Sequence, residues 1–298
     1  MPEILQVCPL CGGQESSLFD RRSFHQQEVI NRMCNSCGLV FQSPRMNASE
    51  LDSFYQAEYR QLYQGSEDPI KKDLAVQQKR AQAVLSFARN QVAGVARHLD
   101  IGSSAGLLLQ SFQKAYGCQP VGVEPGKAYR EYSQKQGLAV YANLDELANS
   151  GLGTFDLISM MHVLEHIPDP IVYLSQLREK YLDREAWLLL EVPNLYAHDS
   201  FETAHLFSFS SHTLKQVVMK AGFDVVTVQK HGLPRSQTIP LYLTLLARTT
   251  GTVGRTLSFI VEPERDVVMK RRLGMLYRRI LTRLAPGRAW LPIDTTNL

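Results

Sequence analysis

The sequence predicts an α/β fold: a mostly parallel sheet with helices on both faces, set between a small cysteine-rich lobe and a helical tail. Three observations predict it. Four of the five cysteines fall in two matched pairs near the N-terminus. From residue 97 short apolar runs alternate with helical patterns at the spacing of strand–helix units. After residue 249 the alternation stops and a basic, helix-periodic stretch follows.

The pairs are Cys8-x-x-Cys11 and Cys34-x-x-Cys37, in "CPLCGG" and "CNSCGL". A two-residue gap lets both thiolates of a pair face one ion, and the glycine after the second Cys lets the backbone fold beneath it. Two such turns supply four soft ligands, which points to a structural, tetrahedral zinc site with every position filled by protein. Residues 1–45 are read as a zinc ribbon. Cys118 stands apart and is expected in the core.

Residues 46–92 read as a helical connector that could serve as a lid. Asn47 or Ser49 is placed to cap its start, Phe54, Tyr55 and Tyr59 cluster on it, and a second helix covers 71–92 with Ala75, Ala81, Val84, Leu85 and Ala88 on its apolar side. Residues 93–249 carry the alternation. The strand "RHLDIG" is followed by a helix ending at Gly117, "PVGVEP" by a helix ending at Gly137, "LAVYAN" by a short helix, and "FDLISMMHV" by "DPIVYLSQLREKYL". "AWLLLEVP" is a strand and "SSHTLKQVVMKAG" a helix. "FDVVTVQK" and "IPLYLTLLART" lie close in sequence and could pair antiparallel at an edge.

In such sheets ligands bind beyond the carboxyl ends of the strands. The first strand ends in "LDIGSSAG", where Asp100, Gly102 and Gly106 flank a tight turn into a helix. The second ends in Glu124, an acid about 20 residues later that suits a ribose diol. A dinucleotide is disfavoured: the turn is not G-x-G-x-x-G, and an anion at Asp100 would repel a pyrophosphate while attracting an ammonium. A nucleoside carrying an amino acid fits better.

Several classes are excluded or disfavoured. No run of about 18 apolar residues predicts a membrane span, and the N-terminus has no basic secretory n-region. A reducing, cytoplasmic location is expected, where five cysteines are not a disulfide framework. Net charge is +3, and residues 1–45 have no Lys-rich stripe, so there is no strong nucleic-acid signal.

At "LDIGSSAG", "GVEPG", "FDLISMMHVLEHIPDP", "LLLEVPN" and "HLFSFSSHTLKQVVMKAGF", over about residues 75–249, the sequence resembles the class I S-adenosylmethionine-dependent methyltransferases. More narrowly it resembles bacterial members with an N-terminal zinc ribbon, a lineage that includes enzymes of surface-glycan and deoxysugar pathways. The resemblance implies a Rossmann-like sheet, S-adenosylmethionine as cofactor, and methyl transfer to a small-molecule acceptor such as a sugar or glycan intermediate. It implies that Asp100, Gly102 and Gly106 hold the methionine part and Glu124 the ribose hydroxyls. Asn143 and Leu144 fall where the loop after the third strand touches adenine, and His162 falls near the methyl group. Ser104 replaces the usual middle glycine; it is small and can hydrogen-bond the cofactor.

The apolar strand ending in "HVLEHIPDP" then gains a rationale, because His162, Glu165 and His166 stand where an acceptor would sit. A hydroxyl acceptor must lose a proton, and His166 or His162 is the candidate base. The competing reading has Glu165 and His166 fix the loop and cap the next helix. His205 reads as a packed residue beside Phe207 and Phe209, and His198 and His212 as surface or helix-start residues. A different class of function, a non-catalytic zinc-ribbon protein binding RNA or protein, is the alternative.

Residues 250–298 form a basic extension. "DVVMKRRLGMLYRRILTRL" holds six Lys or Arg and one acid, with Met269, Leu273, Leu276, Ile280 and Leu284 on one helical face. The helix over 266–284 is expected to dock that apolar face on its own domain or a twin subunit; peripheral contact with an anionic membrane is the alternative.

Overall fold

A computed structural model of the chain describes residues 2–47, 49–51, 54, 68–249 and 260–292. Tyr55 and Tyr59 lie outside the described residues. In the N-terminal lobe, β1 (Ser16–Phe24) and β2 (Gln27–Cys34) form an antiparallel hairpin. Its two turn residues, His25 and Gln26, both take the left-handed conformation that a twisted two-residue hairpin demands. β3 (Val40–Gln42) pairs with β2. Asn47 takes the expected cap: its Oδ1 accepts from Glu50 N at 3.0 Å while Glu50 Oε2 accepts from Asn47 N at 2.9 Å. The second connector helix is α1 (Lys71–Arg89), which buries Ala75, Ala81, Val84 and Ala88.

The strand–helix alternation follows as β4 (Arg97–Ile101), α2 (Leu107–Tyr116), β5 (Gln119–Val123), α3 (Lys127–Lys135), β6 (Ala139–Tyr141), α4 (Leu144–Asn149) and β7 (Phe155–Met161). A 3₁₀ turn at Leu164–His166 leads into α5 (Pro170–Tyr181) and β8 (Leu182–Pro193). The chain continues through β9 (Phe207–Ser208), α6 (Ser211–Lys220), β10 (Phe223–His231) and β11 (Tyr242–Thr249), and ends in α7 (Val267–Leu284) and the short α8 (Pro286–Ala289).

The main sheet has seven strands in the order β10-β11-β8-β7-β4-β5-β6. Pairings among β4 to β8 are parallel, and β11 is antiparallel to both β8 and β10. The antiparallel strand therefore lies one place in from the edge, and β10 is outermost. Central strands buried on both faces need continuous apolar runs, which is why β7 and β8 read "LISMM" and "LLLEV". Strand order reverses at β4, which lies between β5 and β7, so the crevice opens above β4 and β7.

β9 does not join this sheet. It pairs with β3, Phe41 opposite Phe207, and completes a four-stranded sheet with the N-terminal lobe. The lobe is thereby fastened to the large domain, and Leu10, Leu39 and Phe41 share one core with Leu214, Val217 and Val218 of α6. Cys118 is buried beside Phe112.

The C-terminal helix reverses the expected docking. α7 meets the domain through Arg271, Gly274 and Arg278, and its apolar stripe Met269, Leu273, Leu276, Ile280 and Leu284 is exposed. The physical reason is a run of backbone carbonyls in the loop after β8. Arg271 Nη1 donates to Leu195 O and His198 O, both at 2.6 Å, and Arg278 Nη1 to Ala197 O at 3.0 Å. Those carbonyls need donors, which leucines cannot offer. A Cβ on Gly274 would collide with Tyr196 O, so glycine is required where the helix backbone touches the loop.

Candidate functional site

The bend after β4 alternates left-handed residues: Gly102 (φ 74°), Ser104 (φ 49°) and Gly106 (φ 75°). Space is also tight at the two glycines. A Cβ on Gly102 would stand 2.5 Å from Val163 Cγ2, and one on Gly106 would run into Leu138 Cδ1. Ser104 carries a side chain where L residues are strained, which explains why glycine was the expected occupant.

Both sequence-predicted acids meet this bend. Glu124, at the end of β5, is buried and accepts from Ser104 N at 2.9 Å and Gly126 N at 2.8 Å, so its carboxylate is fixed by the backbone of two loops. Asp100 lies beneath the bend at 3% exposure. Its Oδ1 accepts from Ser159 Oγ at 2.5 Å, and Ser159 Oγ in turn accepts from His98 Nε2 at 2.7 Å. Burial, with the nearby Glu124 charge, pushes the Asp100 carboxyl up to about 7 against the Ser159 hydrogen bond. Burial holds His98 neutral, down to about 3. Among the described residues no cation acts on this carboxyl. Ser103 Oγ, in the same bend, is buried without a hydrogen-bond partner among the described residues. These features fit a ligand that brings a cation and hydrogen-bonding groups, as S-adenosylmethionine would.

Asn143 and Leu144 sit at the start of α4. Asn143 Oδ1 accepts from Glu146 N at 2.9 Å and caps that helix, while Leu144 packs half-buried against the main core. Asn143 thus has a structural duty whatever else it contacts.

On the other side of the switch point, β7 is followed directly by His162, itself left-handed at φ 57°. That twist sets its ring between two acids, with Nδ1 3.4 Å from Glu165 Oε1 and Nε2 3.1 Å from Glu191 Oε1. Burial and the Arg80 charge depress its pKa, but hydrogen bonds to the two carboxylates outweigh them and the net shift is upward. Glu191, near the end of β8, is fully buried and takes Arg80 Nε at 2.9 Å, Thr244 Oγ1 at 3.1 Å and His231 Nε2 at 3.3 Å. Against the burial penalty, hydrogen bonds from His162 and His231 and the Arg80 charge hold it well below the usual carboxylate range. Tyr242 floors this group, with its ring 5.1 Å from His162 and 5.4 Å from the Arg80 guanidinium.

The sequence reading singled out neither Arg80, Glu191, His231 nor Tyr242. Glu191 carried a usable signal, an acid inside the apolar run "LLLEVP". The other three come from a distant helix and two neighbouring strands, and nothing local marks them.

His166 and Glu165 lie one turn further along. His166 Nδ1 donates to Ala204 O at 2.9 Å, which leaves its lone pair on Nε2, 4.0 Å from Glu165 Oε1. Burial lowers its pKa despite the Glu165 charge. The Glu165 carboxylate is 1% exposed, and among the described residues neither oxygen has a hydrogen-bond partner of normal geometry. Burial opposes its ionisation, yet His162 and His166 bring it down to about 2. His205 packs edge-on against His166 at 4.7 Å and donates from Nδ1 to Ser200 O at 2.8 Å. Donor atoms of Glu165, His166 and His205 all lie within 4.8 Å of one another, a set that could hold a cation. His198 is half-buried beside the Tyr242 ring at 5.7 Å, on the loop that α7 grips. His212 opens α6, with Nε2 donating to Glu262 O at 2.8 Å.

In the N-terminal lobe the four cysteines converge. Cys8 and Cys37 sulfurs stand 3.6 Å apart, and Cys11 and Cys34 sulfurs 3.5 Å apart. Four thiolates at about 2.3 Å from a zinc ion form a tetrahedron with edges of about 3.8 Å, so the donor set fits zinc with little movement. Gly12 (φ 74°) and Gly38 (φ 80°) follow the second cysteine of each pair and turn the chain under the sulfurs.

Comparison with known proteins agrees with this architecture. The chain is 33% identical over 135 residues to a ubiquinone biosynthesis O-methyltransferase of Xanthomonas axonopodis pv. citri, covering 43% of this chain and 54% of that protein. It is 33% identical over 81 residues to the enzyme of that name from Hahella chejuensis, covering 25% of this chain and 34% of the relative. The chain thus spans about half or less of these relatives' length. Among solved structures, the 1,6-didemethyltoxoflavin-N1-methyltransferase of Burkholderia thailandensis, with bound 1,6-didemethyltoxoflavin and S-adenosylhomocysteine, superposes with a TM-score of 0.56 at 18% identity. That match covers 78% of this chain and 99% of the other, and shows a shared fold. Residues 72–228 match the family described as "Methyltransferase domain", more than half of the chain, and the protein belongs to that family.

Proposed function

We propose that the chain transfers the methyl group of S-adenosylmethionine to a hydroxyl oxygen of a small molecule, with a sugar or glycan intermediate as the acceptor. The observation that carries this is the raised, buried Asp100 carboxyl beneath a left-handed bend whose next strand ends in the backbone-fixed Glu124. Asp100 is suited to meet the ammonium of the ligand's amino-acid part, and Glu124 to accept from its ribose hydroxyls. The names of the curated relatives support an oxygen acceptor; the sugar rests on the zinc-ribbon resemblance.

When bound, S-adenosylmethionine would supply a methyl carbon on a sulfonium; the acceptor oxygen would bond to that carbon in line as the carbon–sulfur bond broke, with its electron pair left on sulfur. The residues of the crevice orient the acceptor and take its proton. Of the two candidate histidines, His166 suits the base. Burial keeps it neutral, the Ala204 carbonyl fixes its tautomer, and Glu165 stands where it would stabilise the imidazolium that forms. His162, with both ring nitrogens turned to carboxylates, is suited to hold Glu165 and Glu191 in place beside the crevice. Zinc held by Cys8, Cys11, Cys34 and Cys37 would brace the lobe that shares a sheet with β9.

The test is release of S-adenosylhomocysteine by the full chain against a panel of nucleotide sugars and other hydroxylated acceptors. With an accepted substrate, His166→Ala should lower turnover by about a hundredfold or more while cofactor affinity measured by calorimetry stays unchanged. Full turnover in that variant removes the base from the account. A cofactor-binding chain that methylates phenols but no sugar removes the sugar.

A further inference from the structure

The geometry points to α7 as a membrane-docking helix: we propose that its outward face seats the protein on an anionic lipid surface. The proposal is independent of the methyl-transfer reading, because it rests on how this helix is mounted.

An amphipathic helix of a globular domain normally turns its apolar stripe inward. α7 does the opposite. Its inner side is polar: Arg271 is buried, with Nη2 3.0 Å from Asp199 Oδ1 in addition to its two carbonyl contacts, and Arg278 reaches Ala197 O while lying over the Trp290 ring. Val267 at one end packs with Val40, Leu195 and Phe201, and Leu281 near the other packs with Ala289 and Trp290. The mount is thus firm at both ends and the middle, and the helix is not loosely placed. Held this way it presents Met269, Leu273, Leu276, Tyr277, Ile280 and Leu284 to the outside, with Leu273 at 59% and Leu284 at 79% exposure. The stripe runs the whole length of the helix at spacings of three and four residues. A continuous apolar patch of this kind on an outer surface marks a contact site.

Charge identifies the occupant. Arg272, Arg279 and Arg283 are all exposed and fall along one flank of the stripe, within one helical turn of Leu276 and Ile280. Lys270 stands on the other flank, paired with Glu264 at 3.4 Å. The stretch Val267–Leu284 contains no acid. A second copy laid on this face would bring a second set of arginines with no carboxylate of its own helix to meet them. An interfacial helix with leucines on one side and unneutralised arginines beside them matches the boundary between acyl chains and anionic headgroups. No helix among the described residues is long and apolar enough to cross a membrane, so the contact is peripheral. The loop gripped by Arg271 and Arg278 follows β8, whose Glu191 belongs to the crevice. Docking through α7 would therefore hold the crevice next to the lipid surface.

The full chain should co-sediment with phosphatidylcholine vesicles containing phosphatidylglycerol, and not with phosphatidylcholine alone. The combined Arg272→Glu, Arg279→Glu and Arg283→Glu changes should lower vesicle partition by at least about a hundredfold, from roughly fivefold for each cation near the surface. Leu273→Asp with Leu276→Asp should abolish it. Calorimetry with S-adenosylhomocysteine in every variant shows that the domain is still folded, and unchanged ligand binding is expected. Three results would overturn the proposal: no sedimentation of the wild-type chain at low salt, binding that survives the two leucine changes, or a stable dimer by ultracentrifugation that those changes dissociate.

Discussion

Asp100→Asn separates what the carboxyl costs the free chain from what it offers the cofactor. Burial chiefly raises this group to about 7 in the folded chain, against ~3.9 for an unfolded aspartate. A folded pKa above the unfolded one means that the native state keeps a proton which the unfolded state has released. Stability therefore falls as pH rises from about 4 to about 7 and levels off above that. Three pH units at about 1.36 kcal/mol each set an upper bound of about 4 kcal/mol on the loss. Asparagine keeps an acceptor for Ser159 and carries no charge, so the variant should lack this slope and exceed the wild type by a few kcal/mol at pH 8. Binding should move the other way. Wild-type affinity for S-adenosylhomocysteine should fall about tenfold between pH 8 and pH 6 as the carboxyl protonates. The variant should bind at least about tenfold more weakly at pH 8, with that pH dependence gone. Urea unfolding across the pH range, paired with calorimetry, measures both. A stability difference that does not change between pH 4 and 7, or equal affinity in the two chains, would refute the placement of Asp100 against the ligand's ammonium.

Other positions give sharp expectations. Cys34→Ser should reduce the metal content by elemental analysis from one zinc per chain to a substoichiometric value and lower the melting temperature, whereas Cys118→Ser should leave zinc unchanged; equal zinc in both would take the metal away from the four-cysteine set. Ser104→Gly should raise stability by up to about 1 kcal/mol by relieving the left-handed strain, and Ser104→Val should lower it by about 1–2 kcal/mol. Equal melting temperatures for the two variants would show that the bend is not strained.

The bend after β4 and the acids beside it were legible because they are local. A strand, a small-residue bend and an acid at the next strand end occur in sequence order, and the structure puts Asp100, Gly102, Ser104, Gly106 and Glu124 around one bend. The cysteine lobe was legible for the same reason, since each pair closes a single turn. The group around His162 and Glu191 was not. Glu191 draws donors from α1, β7, β10 and β11, elements up to 111 positions away in the case of Arg80, and only the strand order brings them together. The insertion of β11 between β8 and β10 was hidden likewise, because two strands adjacent in sequence do not reveal which of them meets a third. α7 misled by its pattern. Periodicity gives the apolar face of a helix but not which face the domain needs, and here a loop of unpaired carbonyls selected the arginines.

Titration calorimetry of S-adenosylhomocysteine into the purified chain, with and without Glu124→Ala, addresses the central assignment most directly. One ligand should bind per chain, and the variant should weaken binding by at least about tenfold through loss of a charged hydrogen-bond acceptor. An undetectable heat of binding in the wild type, or equal affinity in the variant, would contradict the account.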